Sequence, residues 1–151
     1  MEKSKSKQNE FDALKLENQL CFPLYAASRE VVKRYRPFLD PLGLTYTQYI
    51  ALLVLWEHKR CSVKELGERM YLDSGTLTPV LKSLVTKGFV RRSRSTEDER
   101  VLIAEVTPEG ERLRRRAASV PAQLGACVRL SAEEAQTLYA LLYRLLDGME
   151  E

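Results

Sequence analysis

The chain has 151 residues, 24 Lys and Arg against 21 Asp and Glu for a formal net charge of +3, 44% hydrophobic and 30% charged residues, enough for one domain with a buried core. No apolar run approaches the roughly 18 residues needed to span a bilayer, and the N-terminal MEKSKSKQNE lacks an apolar signal core, so no membrane partner and a cytoplasmic location are expected. Three cysteines, a single histidine and no CxxC argue against a disulfide framework, a structural zinc site and a Ser-His-Asp triad, and neither metal nor cofactor is expected.

Residues 1–13 read as a tail, the first ten being polar with Lys3, Lys5 and Lys7 among them. Over residues 14–39, Leu20, Leu24, Ala27, Val31 and Val32 alternate with Arg29, Glu30, Lys33 and Arg34, the pattern of a long amphipathic helix or two stacked pieces. Pro23 leaves two readings, a start near Cys21 or a kink, because proline suits a first helical turn and bends a helix deeper inside. Pro37, Pro41 and Gly43 break this segment, Thr45 can cap the next, and Tyr49, Leu52, Leu53, Leu55 and Trp56 outline a core helix ending near Lys59.

Ser62 and Glu65 fit a capping box that opens a short helix from Val63 to about Met70. After the polar break at Asp73, Ser74 and Gly75, the residues Leu77, Val80, Leu81, Leu84 and Val85 recur at helical spacing until Gly88, placed like a helix-terminating glycine. Residues 89–106 change period, FVRRSRS and RVLIAEV flanking the acidic TEDE, which predicts a two-stranded hairpin. Thr107 and Pro108 open a basic helix ending by Pro121 or Gly125, whose arginines over residues 112–116 span more than one face and read mostly as solvated surface. Ser131 and Glu134 form a second capping box ahead of a final helix striped with Leu138, Leu141, Leu142, Leu145 and Leu146.

Two short helices joined by a tight polar turn and followed by a basic hairpin are the parts of a winged helix-turn-helix, in which the second helix lies in the major groove. That helix opens with Ser74, Thr76 and Thr78, short side chains suited to phosphates or base edges, and Lys82 stands further along. Between residues 76 and 100 there are six basic residues, Lys82, Lys87, Arg91, Arg92, Arg94 and Arg100, against three acidic ones. This local surplus equals that of the whole chain and suits a DNA face, the alternative being an ordinary solvated surface. Pro79 favours a helix capped by Thr78, since one starting at Ser74 loses a backbone bond there.

The run LDSGTLTPVLKSLVTKGFVRRSRSTEDERVLIAEVTPEG, residues 72–110, resembles the recognition helix and wing of the MarR family of bacterial transcription regulators. The resemblance implies a mainly α fold with a small β-hairpin wing, and a recognition helix that starts at Ser74. It implies that Asp73, Ser74, Thr76, Thr78 and Lys82 face the major groove or its phosphates, with Arg92 and Arg94 on the wing. Asp98 would hold Arg100, and Arg100 would enter the minor groove, whose narrow A·T-rich stretches attract arginine. Within one domain over 1–151, it further implies dimerisation helices over 14–45 and 107–151 around a DNA-binding module at 46–106. Such a homodimer would read double-stranded, pseudo-palindromic operator DNA with half-sites roughly 34–36 Å apart.

Cys21, Tyr25, Ser28, Val32 and Tyr35 are spaced 4, 3, 4 and 3 and so line one side of a helix, as a packing seam also would. A thiolate that attacks a peroxide needs donors that stabilise its charge, and phenols provide them without a competing formal charge. Tyr35 lies about 21 Å from Cys21 along a continuous helix, so it cannot reach that sulfur within one chain, whereas an antiparallel partner chain could deliver it. The stretch LENQLCFPLYAASREVVKRYRPFLDPLGLTYTQYIALLVLWE, residues 16–57, resembles the sensor region of the organic hydroperoxide resistance regulators within the MarR family. By that resemblance Cys21 is the peroxidatic thiol, Tyr35 and Tyr46 are its donors from the opposite subunit, and Tyr25 lines the same pocket. Cys127 stands where two-cysteine members carry a resolving thiol, which implies a sulfenic acid followed by an intersubunit disulfide.

The expected function is therefore a repressor, not an enzyme, relieved by an organic hydroperoxide. Two rivals stand beside it: a MarR-type regulator of a small phenolic or anionic ligand, and a thiol peroxidase cycling Cys21 and Cys127. Cys61, His58 and Trp56 read as structural.

Overall fold

The computed structural model describes residues 11–149; residues 1–10 of the expected 1–13 tail lie outside them. The backbone packs as two compact units, Met1–Ala117 and Ala118–Glu151. In the first, two single 3-10 turns at Asp12–Leu14 and Leu16–Asn18 precede helix α1, Cys21–Leu39. The helix starts at Cys21 and is not kinked at Pro23, because Pro23 is its third residue, where the missing N–H has no intrahelical acceptor to lose. Pro37 does not break it; the helix runs two residues further before a 3-10 turn at Asp40–Leu42 and the left-handed Gly43 end it.

Helix α2, Tyr46–His58, is the centre of the core. It presents Tyr49, Ala51, Leu52, Leu55 and Trp56 inward, all buried, at the spacing of one broad helical face. Around it stand β1 (Arg60–Ser62), α3 (Val63–Met70), α4 (Ser74–Thr86), β2 (Val90–Arg94), β3 (Leu102–Val106) and α5 (Pro108–Ala117). Leu66 of α3, Leu77, Leu81 and Leu84 of α4, Ala104 of β3 and Leu113 of α5 are buried around it. The indole Nε1 of Trp56 donates to the Gly110 carbonyl at 2.9 Å. A Cβ at Gly110 would stand 2.3 Å from the Phe89 carbonyl oxygen, so glycine there is what lets α5 close on the end of the α4 segment.

The expected hairpin is the larger part of a three-stranded antiparallel sheet in the order β1-β3-β2. The third strand pairs Arg60, Cys61 and Ser62 with Glu105, Ala104 and Ile103; three residues are too few to display the alternation by which strands are recognised. Both predicted capping boxes are present, and Thr45 with Gln48 forms one more, at the start of α2. Gly88, at φ +80°, closes α4 as a Schellman motif, with Phe89 N–H on the Leu84 carbonyl and Gly88 N–H on that of Val85.

In the second unit the basic helix is already over. α5 ends at Ala117, and Pro121 lies in the first turn of a separate short helix, α6 (Val120–Gly125), where proline starts a helix instead of stopping one. Helix α7, Ala132–Asp147, buries no residue, and Leu138, Leu141 and Leu145 along it are 46%, 54% and 36% exposed.

Candidate functional site

Helix α4 is fixed at its first residue by Asp73. The carboxylate accepts from Thr76 N–H at 2.9 Å and from the Thr76 hydroxyl at 3.0 Å, and these bonds, the backbone one first, hold it below the usual carboxylate range. The cap outweighs the bond lost at Pro79, so the helix starts at Ser74 and not at Thr78. With Leu77, Leu81 and Leu84 turned inward, the outer face carries Ser74, Thr76, Thr78, Pro79 and Lys82, all exposed. The Thr78 hydroxyl donates to the Ser74 carbonyl at 2.7 Å, leaving its oxygen lone pairs to the outside.

The wing tip is a hydrogen-bonded turn. Ser95 N–H meets the Val101 carbonyl at 2.8 Å and Val101 N–H meets that of Asp98 at 2.9 Å. Asp98 grips Arg100 with both oxygens: Nε on Oδ1 at 3.0 Å, Nη2 on Oδ2 at 3.1 Å, and the Arg100 backbone N–H also on Oδ1. The Arg100 side chain remains 91% exposed, a guanidinium oriented without being covered. Arg94 donates to the Glu99 carbonyl at 3.0 Å, and Arg91 pairs with Glu105 across the strands at 2.9 Å. Lys87 is turned inward onto the Gly43 carbonyl and Gln48 Oε1. Arg91 and Arg100 are thus paired with carboxylates and Lys87 and Arg94 with neutral oxygens, and among the described residues Lys82 and Arg92 are the cations of this segment left without a partner.

The second cluster is aromatic. Tyr35, near the end of α1, packs on Tyr46 with ring centroids 4.6 Å apart and on Tyr49 at 5.8 Å, and Tyr49 leads to Trp56 at 6.4 Å. Burial, followed by the neighbouring Tyr46 and Tyr49, pushes the Tyr35 phenol up to about 12, and burial raises Tyr46 and Tyr49 as well. All three are neutral O–H donors at physiological pH. Tyr49 was visible in the sequence only as a core residue, although it stands one turn from Tyr46, the spacing that brings helical side chains together.

Tyr25 is not part of this cluster. It is exposed, with the Arg29 guanidinium 5.5 Å above its ring. Cys21, the first residue of α1, is an exposed free thiol, about 21 Å along the helix from Tyr35. Cys127 follows α6, is exposed, and has its sulfur 3.5 Å from the Gln123 carbonyl. Cys61 is half-buried on β1, where burial and Glu65 push its thiol up, the opposite of an activated nucleophile. Among the described residues no group of three or more His, Cys, Asp or Glu side chains is placed to hold a metal, and no single helix is long and apolar enough to cross a membrane.

The family model described as MarR family matches residues 44–102. Over 144 residues the chain is 48% identical to the organic hydroperoxide resistance transcriptional regulator of Bacillus subtilis, which covers 95% of this chain and 98% of that relative. The chain belongs to the MarR family. Its fold is similar to that of AbfR from Staphylococcus epidermidis. A structure of reduced AbfR bound to DNA matches with a TM-score of 0.74 and 35% identity over 91% of this chain and 96% of that one. A disulfide-formed AbfR matches with a TM-score of 0.65 and 33% identity over 91% and 94%. The protein is a MarR-family DNA-binding transcription regulator, and its relatives and fold are those of regulators, not of enzymes.

Proposed function

We propose that this regulator is a cytoplasmic, homodimeric repressor that leaves its pseudo-palindromic operator when an organic hydroperoxide oxidises Cys21. The observation that carries the reading is a separation. The thiol is exposed at one end of α1, while the neutral phenols of Tyr35 and Tyr46 are held together at the other end. One chain therefore holds two half-sites, and an antiparallel partner helix joins Cys21 of one protomer to the phenols of the other, with Tyr25 along the same seam. Exposed apolar side chains on α1 and α7, among them Leu24, Val31, Leu138 and Leu141, supply the surface for such a dimer.

The chemistry is stoichiometric. The Cys21 thiolate attacks the outer oxygen of the hydroperoxide, the O–O bond breaks, and the organic fragment leaves as an alcohol, giving a sulfenic acid whose oxygen the phenols can bond. The partner subunit's Cys127 thiolate then attacks the Cys21 sulfur, water leaves, and a disulfide joins the chains. The similarity to AbfR, of which there is a disulfide-formed structure, supports this second step. On DNA, Ser74, Thr76, Thr78 and Lys82 read the major groove or its phosphates, Asp73 fixes where the helix begins, Arg92 and Arg94 attract the backbone, and Asp98 aims Arg100 into the minor groove.

The test is a non-reducing mass measurement before and after about one equivalent of hydroperoxide, the stoichiometry of a one-thiol reaction. A covalent dimer linked from Cys21 to Cys127, absent in Cys21→Ser and accompanied by loss of operator binding, is expected. An unmodified Cys21 in protein that still responds to an inducer overturns the redox reading in favour of a small-molecule ligand.

A further inference from the structure

Gln48 is the single buried polar residue among the described residues, 7% exposed. It belongs to the capping box that starts α2, but the other two boxes use carboxylates, Glu65 and Glu134, which are exposed and whose hydrogen bonds stay within the cap. The amide differs in having a donor as well as an acceptor. Its Oε1 accepts from Thr45 N–H at 3.1 Å and from Lys87 Nζ at 2.9 Å, and its Nε2 donates to Ser83 Oγ at 2.9 Å. Ser83 lies on the last turn of α4 and Lys87 caps its end. Lys87 also reaches the Gly43 carbonyl, so both sides of the turn before α2 are tied to the recognition helix.

Tyr46 lies within that same capping turn, between Thr45 and Gln48, and is the ring against which Tyr35 packs. One short segment, residues 43–48, is therefore bound on one side to the phenol cluster and on the other to the end of the helix that faces DNA. We propose that Gln48 is a positioning residue that couples the two: when oxidation draws on Tyr46, the capping turn shifts and the Gln48 amide carries the shift through Ser83 and Lys87 to α4. A buried amide suits this task because its bonds are short-ranged and leave no cheap alternative partner, so the linked groups move together or lose the bonds outright.

The inference rests on the redox reading above, and the experiment separates the two. Operator affinity of full-length protein is measured by fluorescence anisotropy with fluorescently labelled operator DNA, before and after tert-butyl hydroperoxide, and the ratio of oxidised to reduced Kd is compared between variants. Gln48→Met removes both the donor to Ser83 and the acceptor for Lys87 at similar volume; Ser83→Ala removes the hydroxyl partner and is a mild change should the first variant fold poorly. In both, Cys21 is expected to oxidise as in the wild type while the Kd ratio falls about fivefold or more, a typical size for coupling between sites. A purely structural role moves both affinities and the thermal midpoint together and leaves the ratio at its wild-type value, which overturns the proposal. A wild type whose Cys21 oxidises with no change in Kd overturns the redox reading first and this inference with it.

Discussion

The helices that surround α2 and the helices at the two ends of the chain are built by opposite rules. Between α2 and α5 the apolar positions find partners within one chain: Leu52, Leu55, Leu66 and Leu84 are fully buried, and no buried side-chain polar atom of the described residues lacks a partner. In α1 only Leu39 is buried, and in α7 nothing is. The reading head is thus finished by its own sequence, whereas the segments that carry Cys21 and the leucine stripe leave apolar side chains exposed. On the redox reading proposed above, sensing chemistry placed in the unfinished half depends on assembly.

The largest expected effect tests the finished half. Leu55→Ala removes a fully buried side chain at the centre of the module and should cost about 2–5 kcal/mol of stability in urea denaturation. The paired change Leu138→Asp and Leu141→Asp, on residues 46% and 54% exposed, should leave helical content intact. It should convert the dimer to a monomer in sedimentation and weaken operator binding by about a hundredfold, the avidity of two linked heads. A double variant that still sediments as a dimer would remove α7 from the interface and erase the contrast between the two halves.

That contrast also governs how much of the molecule was legible beforehand. Where the information is local it was readable: the Ser62 and Ser131 capping boxes, the Gly88 terminus and the apolar stripe of α4 all follow from residues three or four apart. Two local rules conflicted at Pro79, and only the family resemblance gave the start at Ser74; the Asp73 cap supplies its physical reason. β1 escaped notice because its pairing partner lies more than forty residues on and its three residues carry no pattern of their own. Gln48 had a visible signal, a Thr45-x-x-Gln48 cap inside an otherwise apolar helix, but its bonds to Ser83 and Lys87 are tertiary. The charge count could not tell engaged cations from free ones for the same reason, since the bonds of Lys87 to Gln48 and of Arg91 to Glu105 are tertiary.

A smaller effect separates charge from aim on the wing. Arg100→Ala removes an exposed guanidinium that Asp98 holds in two places and should weaken operator binding about tenfold, with a shallower salt dependence. Asp98→Asn keeps the cation and loosens it, so about threefold is expected from the cost of ordering one side chain on binding. Equal losses in the two variants would mean that Asp98 does more than orient its neighbour.

The smallest effect concerns Tyr35, where the two halves meet. Its phenol, at about 12 against the ordinary 10.0, is raised chiefly by burial, so the folded protein holds this proton more tightly than the unfolded chain does. Between those two values the folded state binds more protons, and stability must fall as pH rises. The contribution is complete below pH 10 and is lost by about 12, leaving neutral pH untouched. Tyrosinate absorbance followed through an alkaline titration should show a latest component, near 12, that disappears in Tyr35→Phe. If Tyr35 instead ionises with an ordinary phenol, the cluster is not packed within a single chain. The donors for Cys21 would then be assembled only in the dimer, and the unfinished half of the molecule would extend as far as the start of α2.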